Sequence, residues 1–193
     1  MKVFGLTGGL GMGKSTAAQI LSRRGIAVVD TDDLARQLVG PGQPALAEIQ
    51  KQFGPDIVAP DGQLRREELA RLVFADGSAR QKLEAILHPR IRKQWQAQVA
   101  AWRESGRCAA VVVIPLLFET GAESHFDEII CLACSAATQR ERLRLRGWTE
   151  EQIDQRLAAQ WPVERKMALA RHVVWTEGDV AALEEQLARV ISG

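Results

Sequence analysis

The 193-residue sequence lacks features that several classes of protein require. Its cysteines, Cys108, Cys131 and Cys134, are too few and odd in number for a disulfide framework. No apolar run approaches the roughly 20 residues of a membrane-spanning helix, and the N-terminus leads directly into an apolar stretch without a signal-like region. The net charge of +1 provides no overall field for nucleic acid or an anionic membrane. We therefore expect a cytoplasmic protein without nucleic-acid or membrane partners.

Two of the cysteines, Cys131 and Cys134, have the C-x-x-C spacing of some zinc and redox sites. They lie in an apolar run over 128–134 that predicts a strand, where residues three apart point to opposite faces. No second pair of cysteines or histidines completes a metal-binding set. The pattern favours two buried, unreactive thiols.

One glycine-rich stretch, residues 8–15, organises the chain. It matches the phosphate-binding pattern G-x-x-x-x-G-K-[ST]. A short apolar run at 2–7 predicts a buried strand before it, and apolar residues at helical spacing over 15–24 predict a helix after it. The alternative is a glycine-rich turn that fits the pattern by coincidence, and the flanking strand and helix argue against it.

The residue types in this loop suit a nucleoside triphosphate. Glycines let the backbone bring its N–H groups close to phosphate oxygens. The following helix presents unpaired N–H groups and the positive end of its dipole to the same anion. Lys14 is placed to reach the β- and γ-phosphates, and the Ser15 hydroxyl to ligate Mg²⁺. The predicted nucleotide contacts in the loop are Gly11, Met12, Gly13, Lys14, Ser15 and Thr16.

Three carboxylates, Asp30, Asp32 and Asp33, follow the second predicted strand at 25–30. Ligands of an open parallel sheet bind at the carboxyl ends of its strands, so we expect these residues on the same edge as the phosphate loop. One of them suits proton acceptance from a substrate hydroxyl, or a part in holding Mg²⁺. Capping of the next helix explains the same residues. The spacing alone does not choose among them.

The region between the second and third strands is predicted to be helical. Helices are expected over 34–53 with a break at 40–44, over 64–74, and over 79–102. His88-Pro89 predicts a kink or a helix boundary within the last of these. The whole region forms a helical insertion in the expected sheet.

Three further apolar runs predict strands at 109–119, 127–134 and 172–175. The first is apolar throughout, which is typical of a strand covered on both faces. It ends in Glu119, which we expect at the carboxyl end of that strand. An amphipathic helix is predicted to close the chain over 179–191.

The helix predicted at 136–147 carries four arginines, Arg140, Arg142, Arg144 and Arg146. Arg142 and Arg146 are one turn apart and share a helix face. A guanidinium over the γ-phosphate stabilises the charge that develops during transfer, and a mobile lid would deliver it while expelling water. A solvated helix with Glu–Arg ion pairs explains the same pattern equally well.

Together these segments resemble the dephospho-coenzyme A kinase family over nearly the whole chain. The phosphate loop alone is shared by very many proteins, whereas the full set of motifs in this order is far more specific. The motifs are the loop with its flanks at 5–16, Asp30-Thr31-Asp32 with Ala35-Arg36, Leu87-His88-Pro89, Pro115-Leu116-Leu117-Phe118-Glu119, Gln139 with Arg142 and Arg146, and Arg156 with Gln160.

The resemblance implies an α/β fold of the P-loop NTPase type, similar to nucleotide kinases. It consists of a five-stranded parallel sheet flanked by helices, with a helical acceptor lobe and a lid. The chain would form a single kinase unit. In it, 1–34, 107–136 and 171–193 make the nucleotide-binding core, 35–106 the coenzyme-binding insertion, and 137–170 the lid.

The implied activity is phosphorylation of the 3′-hydroxyl of dephospho-coenzyme A by ATP and Mg²⁺, the last step of coenzyme A synthesis. By resemblance, Asp32, Lys14 and Arg142 are the catalytic residues, Asp32 lies beside the acceptor hydroxyl, and Arg146 is a further ATP contact. We expect a monomer or a weak homo-oligomer. The acceptor is expected to contact Asp32, His88 and Leu117.

Two positions depart from the family pattern, and two other functions compete with the implied one. Met12 stands where the family usually has a small residue, and Thr176 where an asparagine is common. Another small-molecule or nucleoside monophosphate kinase of the same fold is the nearest alternative. A GTPase-like switch is disfavoured because the chain has no Asn-Lys-x-Asp motif for guanine.

Overall fold

A computed structural model describes residues 1–193, except for the side chain of Phe74. The chain divides into two compact units, one formed by Met1–Asp30 with Ala101–Gly193 and the other by Thr31–Ala100. None of the helices in the described part is long and apolar enough to cross a membrane.

The first unit contains a parallel sheet. The strands are β1 (Lys2–Gly8), β2 (Ala27–Asp30), β3 (Ala109–Val113), β4 (Glu128–Ala133) and β5 (His172–Trp175). Their order is β2-β3-β1-β4-β5, and every neighbouring pair is parallel. The prediction of a five-stranded parallel sheet is therefore confirmed. The helices of this unit are α1 (Lys14–Arg23), α6 (Ala136–Arg144), α7 (Glu150–Ala158), α8 (Val163–Leu169) and α9 (Val180–Ser192).

The register of the sheet brings the carboxyl ends of three strands to one level. Val113, the last residue of β3, pairs with Leu6 of β1 on one side and with Asp30 of β2 on the other. The segments that follow β1, β2 and β3 therefore leave the same edge of the sheet, which is where ligands of parallel sheets bind.

The core of the first unit lies where α1 and α9 pack on the sheet. β-branched and aromatic side chains from the strands, such as Phe4 and Val111, pack with apolar residues from the two helices. Alternate strand residues and one face of each helix thus share a single apolar interior. The buried members are Phe4, Leu6, Ala17, Ile20, Leu21, Val111, Val113, Ile130, Leu132, Val174, Leu183 and Leu187.

The second unit is helical and has its own core. Its helices are α2 (Thr31–Leu38), α3 (Pro44–Phe53), α4 (Arg66–Ala75) and α5 (Gly77–Glu104), and the last residues of α5 belong to the first unit. The predicted break at 40–44 is confirmed, with Pro44 at the first position of α3, where proline costs no hydrogen bond. The buried core residues are Leu38, Val39, Ala45, Ile49, Ile57, Leu69 and Ile86.

Of the two alternatives predicted at Pro89, a kink or a helix boundary, the boundary is wrong, because α5 runs through this residue. Proline cannot donate the usual backbone hydrogen bond. Buried Ile86 and Trp95, on either side of the proline, anchor the helix by packing.

The predicted strand at 109–119 is also too long. The structure ends β3 at Val113, and a single further backbone bond joins Ile114 to Leu6. Pro115 has no N–H to continue the ladder. A turn follows, in which the N–H of Thr120 bonds to the carbonyl of Leu116, so Glu119 lies within this turn and not at the strand end.

The two cysteines of the C-x-x-C pattern are buried and unpaired by disulfide, as predicted. Cys131 lies inside β4, where burial raises the pKa of its thiol to about 11. The thiolate is the reactive form, so a thiol with this pKa is unreactive at neutral pH. Cys108 is the exposed thiol of the three.

Candidate active site

The phosphate loop connects β1 to α1, and glycine is required at both of its ends. Gly13, which caps α1, has a left-handed conformation with φ of 80°. At Gly8, an added Cβ would lie 2.5 Å from the carbonyl oxygen of Leu132 in the neighbouring strand. The loop can therefore keep this path only with glycines at these positions.

Lys14 already points into the loop. Its Nζ donates hydrogen bonds of 2.9 Å to the carbonyl oxygens of both Gly8 and Gly9. These bonds hold the ammonium over the centre of the loop, where phosphate oxygens would meet it. The side chain of Met12, by contrast, is buried and lies close to Gly9. Met12 is larger than the small residue that the resemblance implies here, and its side chain is accommodated in the core.

The first turn of α1 exposes two hydroxyl groups, those of Ser15 and Thr16. The N–H of Ala17 already bonds to the carbonyl of Gly13, so the helix begins at once after the loop. The Ser15 hydroxyl has no hydrogen-bond partner among the described residues. It is free to bind a cation or a phosphate at the positive end of the helix.

A cleft of about 290 Å³ adjoins the loop within the first unit. Loop glycines and Thr16 form one wall, and α6 together with the segment between β5 and α9 forms the rest. Apolar side chains and polar groups alternate around it, as in sites for small organic ligands. The lining residues are Gly11, Gly13, Thr16, Arg142, Leu145, Arg146, Thr176, Gly178, Asp179, Val180 and Leu183.

Helix α6 ends at Arg144, so the helix predicted over 136–147 is too long, and Arg146 lies in the turn that follows. The four arginines of α6 and this turn lie on two faces. Arg140 and Arg144 form ion pairs with Glu150, and Arg140 also pairs with Asp154. This face is the solvated, ion-paired helix that the sequence allowed. The opposite face carries Arg142 and Arg146 into the cleft. The ion-paired, solvated interpretation therefore holds for Arg140 and Arg144, and a position in the cleft holds for Arg142 and Arg146.

Arg142 joins the phosphate loop to the segment after β5. Its Nη1 donates to the hydroxyl of Thr176 at 2.9 Å and, more weakly, to the carbonyl of Gly11 at 3.5 Å, while its Nη2 donates to the carbonyl of Thr176. Gln139, one turn earlier on the same helix, donates to the carbonyl of Leu10 at 2.7 Å. Among the described residues, the Arg146 side chain has no hydrogen bond or ion pair.

The segment after β5 is also held by Glu177. Its carboxylate accepts hydrogen bonds from the Ser135 backbone N–H and from the Thr138 hydroxyl, at 2.9 and 2.8 Å. Bonds from Ser135 and Thr138 hold the pKa of Glu177 below its ordinary value. Since Thr176 is tied to Arg142 and Glu177 to the start of α6, this wall of the cleft is fixed before any ligand arrives.

The three carboxylates after β2 have different surroundings. Asp30 is the last residue of β2, and Asp32 and Asp33 lie in the first turn of α2, which begins at the next residue. Asp33 forms an ion pair with Arg36 one turn later. Asp33 thus has a structural partner, and its place in the first turn is one that the helix dipole favours for an acid. Asp32 is exposed and belongs to the second unit.

The other two predicted acceptor contacts lie in different environments. His88 is half-buried in α5, in the second unit. Leu117 is fully buried in the first unit, where it packs against Gly5 of β1. Their contacts with an acceptor remain predictions.

Sequence reasoning missed one charged pair at this edge of the sheet. Lys166 of α8 is fully buried and forms a 2.7 Å ion pair with Glu119. The sequence placed Lys166 among the basic residues of a lid, and no local pattern distinguishes it from its exposed neighbour Arg165. Its burial depends on a partner in a distant part of the chain.

A comparison with known families decides what kind of site this is. The sequence model of dephospho-CoA kinases matches residues 2–182. The chain belongs to the dephospho-CoA kinase family. It covers almost the full length of the family's members, so the chain is a kinase of the P-loop fold.

Individual members of the dephospho-CoA kinase family agree with this assignment. The dephospho-CoA kinase of Anaeromyxobacter dehalogenans is 45% identical over 193 residues, covering 100% of this chain and 92% of the relative. That of Bdellovibrio bacteriovorus is 39% identical and covers 99% of this chain and 95% of the relative. The crystal structure of TT1252 from Thermus thermophilus superposes with a TM-score of 0.85 at 32% identity, covering 99% of this chain and 96% of that one.

Proposed function

We propose that this kinase transfers the γ-phosphoryl group of ATP to the 3′-hydroxyl of dephospho-coenzyme A, with Mg²⁺ as cofactor. The observation that carries the proposal is Lys14 held over a complete phosphate loop, in a chain that matches the dephospho-CoA kinase family over residues 2–182. Family membership makes the alternative, a kinase for another small acceptor, the weaker hypothesis.

The triphosphate would bind along the loop and the first turn of α1. Backbone N–H groups from Gly11 to Thr16 and the helix dipole offer donors to the phosphates. Lys14 would bind the β- and γ-phosphates, because its ammonium is held by two carbonyls in the middle of the loop. The base and ribose would extend into the 290 Å³ cleft beside Arg142, Thr176 and Val180.

The residues present fit a magnesium ion. Mg²⁺ prefers oxygen ligands and keeps several waters, so one or two protein groups and the phosphates suffice to hold it. The exposed Ser15 hydroxyl, without a partner among the described residues, has the right chemistry and lies next to Lys14. When bound, the ion would neutralise charge on the β- and γ-phosphates.

Asp32 would orient the acceptor hydroxyl and accept its proton. It lies two residues after Asp30, and the β2 strand that Asp30 closes ends at the edge of the sheet from which the phosphate loop also leaves. A carboxylate can accept the proton late in a loose transfer, when the hydroxyl has become acidic.

Arg142 and Arg146 would neutralise the transferring phosphoryl group. A guanidinium has five N–H donors, and Arg142 uses three hydrogen bonds on Thr176 and Gly11, so two donors remain for phosphate oxygens. Arg146 lines the same cleft and is exposed. We propose that the segment 137–170, which carries both, acts as a lid over the core formed by 1–34, 107–136 and 171–193.

The acceptor would be bound by the helical insertion, 35–106. His88 and Leu117 are proposed as acceptor contacts together with Asp32. We propose a monomer or weak homo-oligomer that works in the cytoplasm, without nucleic-acid or membrane partners.

One assay tests the proposal directly. The protein is incubated with Mg-ATP and dephospho-coenzyme A, and the expected product is heavier by one phosphoryl group, located at the 3′ position by NMR. Matched reactions contain shikimate or a nucleoside monophosphate as acceptor. Transfer to one of these acceptors and not to dephospho-coenzyme A would refute the proposed substrate.

A further inference from the structure

Lys166 is unusual because it is a charged side chain with no solvent exposure. Among the described residues it is the only charged one in the buried class. Its Nζ bonds to Glu119 Oε1 at 2.7 Å and to the carbonyl oxygen of Pro115 at 2.9 Å. Burying an ammonium is costly, and a buried ion pair rarely stabilises a fold better than apolar residues of similar size would. Stability alone therefore does not explain this pair.

The partner carboxylate is not fully satisfied either. Glu119 Oε1 also accepts a 2.9 Å bond from the N–H of Trp161. The second oxygen, Oε2, is buried and has no hydrogen-bond partner among the described residues. Buried polar atoms of this kind are few in native proteins and require an explanation, of which function is one.

The pair acts on the residue that precedes the phosphate loop. The carbonyl of Pro115 accepts a second bond, from the hydroxyl of buried Thr7 at 3.2 Å. Thr7 is followed by Gly8, whose carbonyl oxygen holds Lys14. Lys166 is therefore linked, through the carbonyl oxygen of Pro115, to Thr7 at the start of the loop that carries Lys14.

A second observation places the two lysines at the same end of the sheet. Cys131 pairs with Thr7 in the register of β4 and β1. The charges of Lys166 and of Lys14 both act on the Cys131 thiol and favour its ionised form, although burial outweighs them. The bonds of Lys166 to the Pro115 carbonyl, which Thr7 also binds, and of Lys14 to the Gly8 carbonyl place both ammonium groups near Thr7.

We propose that Lys166 and Glu119 are positioning residues for phosphoryl transfer, which hold the turn after β3 against Thr7 and so fix the direction of the phosphate loop. This role rests on the proposed function. The pair does not touch the nucleotide. Its effect is geometric, since a misplacement of about 1 Å at a transfer site can cost about 100-fold in rate.

The test separates positioning from plain stability by removing the charges singly and together. Lys166→Met and Glu119→Gln each leave one buried partner uncompensated, so both should lower Tm and also kcat, by about 10- to 100-fold. The double variant contains no buried charge, so its Tm should recover most of the loss. Its kcat should stay low, because Lys166 no longer holds the Pro115 carbonyl in place against Thr7. KM for ATP should change by less than about threefold, since the nucleotide contacts remain.

A third variant tests the link itself and does not disturb the ion pair. Thr7→Val keeps the shape of the side chain and removes only its bond to Pro115. We expect a smaller loss of kcat, about three- to tenfold, with little change in Tm. The control is the exposed pair of Arg24 and Glu184, for which Arg24→Met with Glu184→Gln should leave kcat unchanged. All rates are measured well below each variant's Tm and per mole of folded protein.

The outcomes are distinct. If the double variant recovers kcat together with Tm, or if Thr7→Val keeps the wild-type kcat, the pair is merely structural and the inference is overturned. If the wild-type protein does not phosphorylate dephospho-coenzyme A at all, the proposed function fails first and the positioning role falls with it.

Discussion

The guanidinium of Arg142 binds Thr176 at both its hydroxyl and its carbonyl oxygen, with the first bond at 2.9 Å. This contact closes the cleft between the phosphate loop and the segment after β5. Thr176 is also one of the two positions at which we expect the chain to depart from the family pattern. A threonine here supplies a hydroxyl to Arg142, so the segment is held by the protein itself and not only by a nucleotide.

The two arginines in the cleft are predicted to respond differently to substitution. Arg142→Met should lower kcat by on the order of 10³-fold by analogy with arginine fingers, and it should also raise KM for ATP because Thr176 is released. Arg146→Met should lower kcat with little effect on Tm, because Arg146 holds nothing in place. Steady-state kinetics and thermal melts distinguish the two.

The control for both lies on the opposite face of the same helix. Arg144 is exposed and pairs with Glu150, and an exposed pair contributes little to stability. Arg144→Met should therefore keep kcat and KM near wild-type values. A loss as large as that of Arg142→Met would contradict the division of the helix into two faces.

Asp32→Asn should lose most turnover and retain ATP. The amide keeps the size of the side chain but cannot accept the proton of the acceptor hydroxyl, a contribution of about 10²- to 10⁴-fold. ATP affinity by calorimetry should be unchanged. Asp33→Asn is the matched control, since Asp33 pairs with Arg36, and it should turn over normally. Wild-type turnover by Asp32→Asn would exclude it as the base.

Lys14→Ala should weaken ATP binding by about 10- to 100-fold, which is the value of one or two hydrogen bonds to a charged group. The measurement is calorimetric titration with ATP. Binding of dephospho-coenzyme A alone should not change. Lys51→Ala, at an exposed lysine of α3, should bind ATP like the wild type. Equal ATP affinities for the two variants would exclude Lys14 as the phosphate anchor.

Glu177 is predicted to make the stability of the cleft wall depend on pH. Bonds from Ser135 and Thr138 keep the pKa of Glu177 below its ordinary value in the folded state. The unfolded state therefore binds the proton more readily, and this stabilisation is fully present above the ordinary glutamate pKa and is lost as the pH falls through the lower, folded-state pKa.

The measurement for Glu177 is Tm as a function of pH. Glu177→Gln should melt below the wild type at neutral pH, and the difference should shrink on acidification. Glu123→Gln, at an exposed glutamate outside the cleft, should show no such trend. A difference for Glu177→Gln that stays constant with pH would show that the carboxylate charge is not involved.

Local features were predictable from the sequence, and features that depend on distant partners were not. The gap between α2 and α3 could be predicted because proline and glycine act on their own neighbours. The end of β3 could not, because residues 109–118 are largely apolar whether they form the strand or the buried turn after it. The course of α5 through Pro89 was likewise decided by packing on both sides of the proline.

The sequence by itself determined the phosphate loop, since strand, glycines, lysine and helix are consecutive and each acts on its neighbours. It also determined the family, because the order of the motifs is written along the chain. Only the tertiary structure decided that Arg142 and Arg146 line the cleft. It also decided that Lys166 is buried against Glu119. The reason is physical: the burial and pairing of a charge depend on groups that only folding brings within a few ångströms.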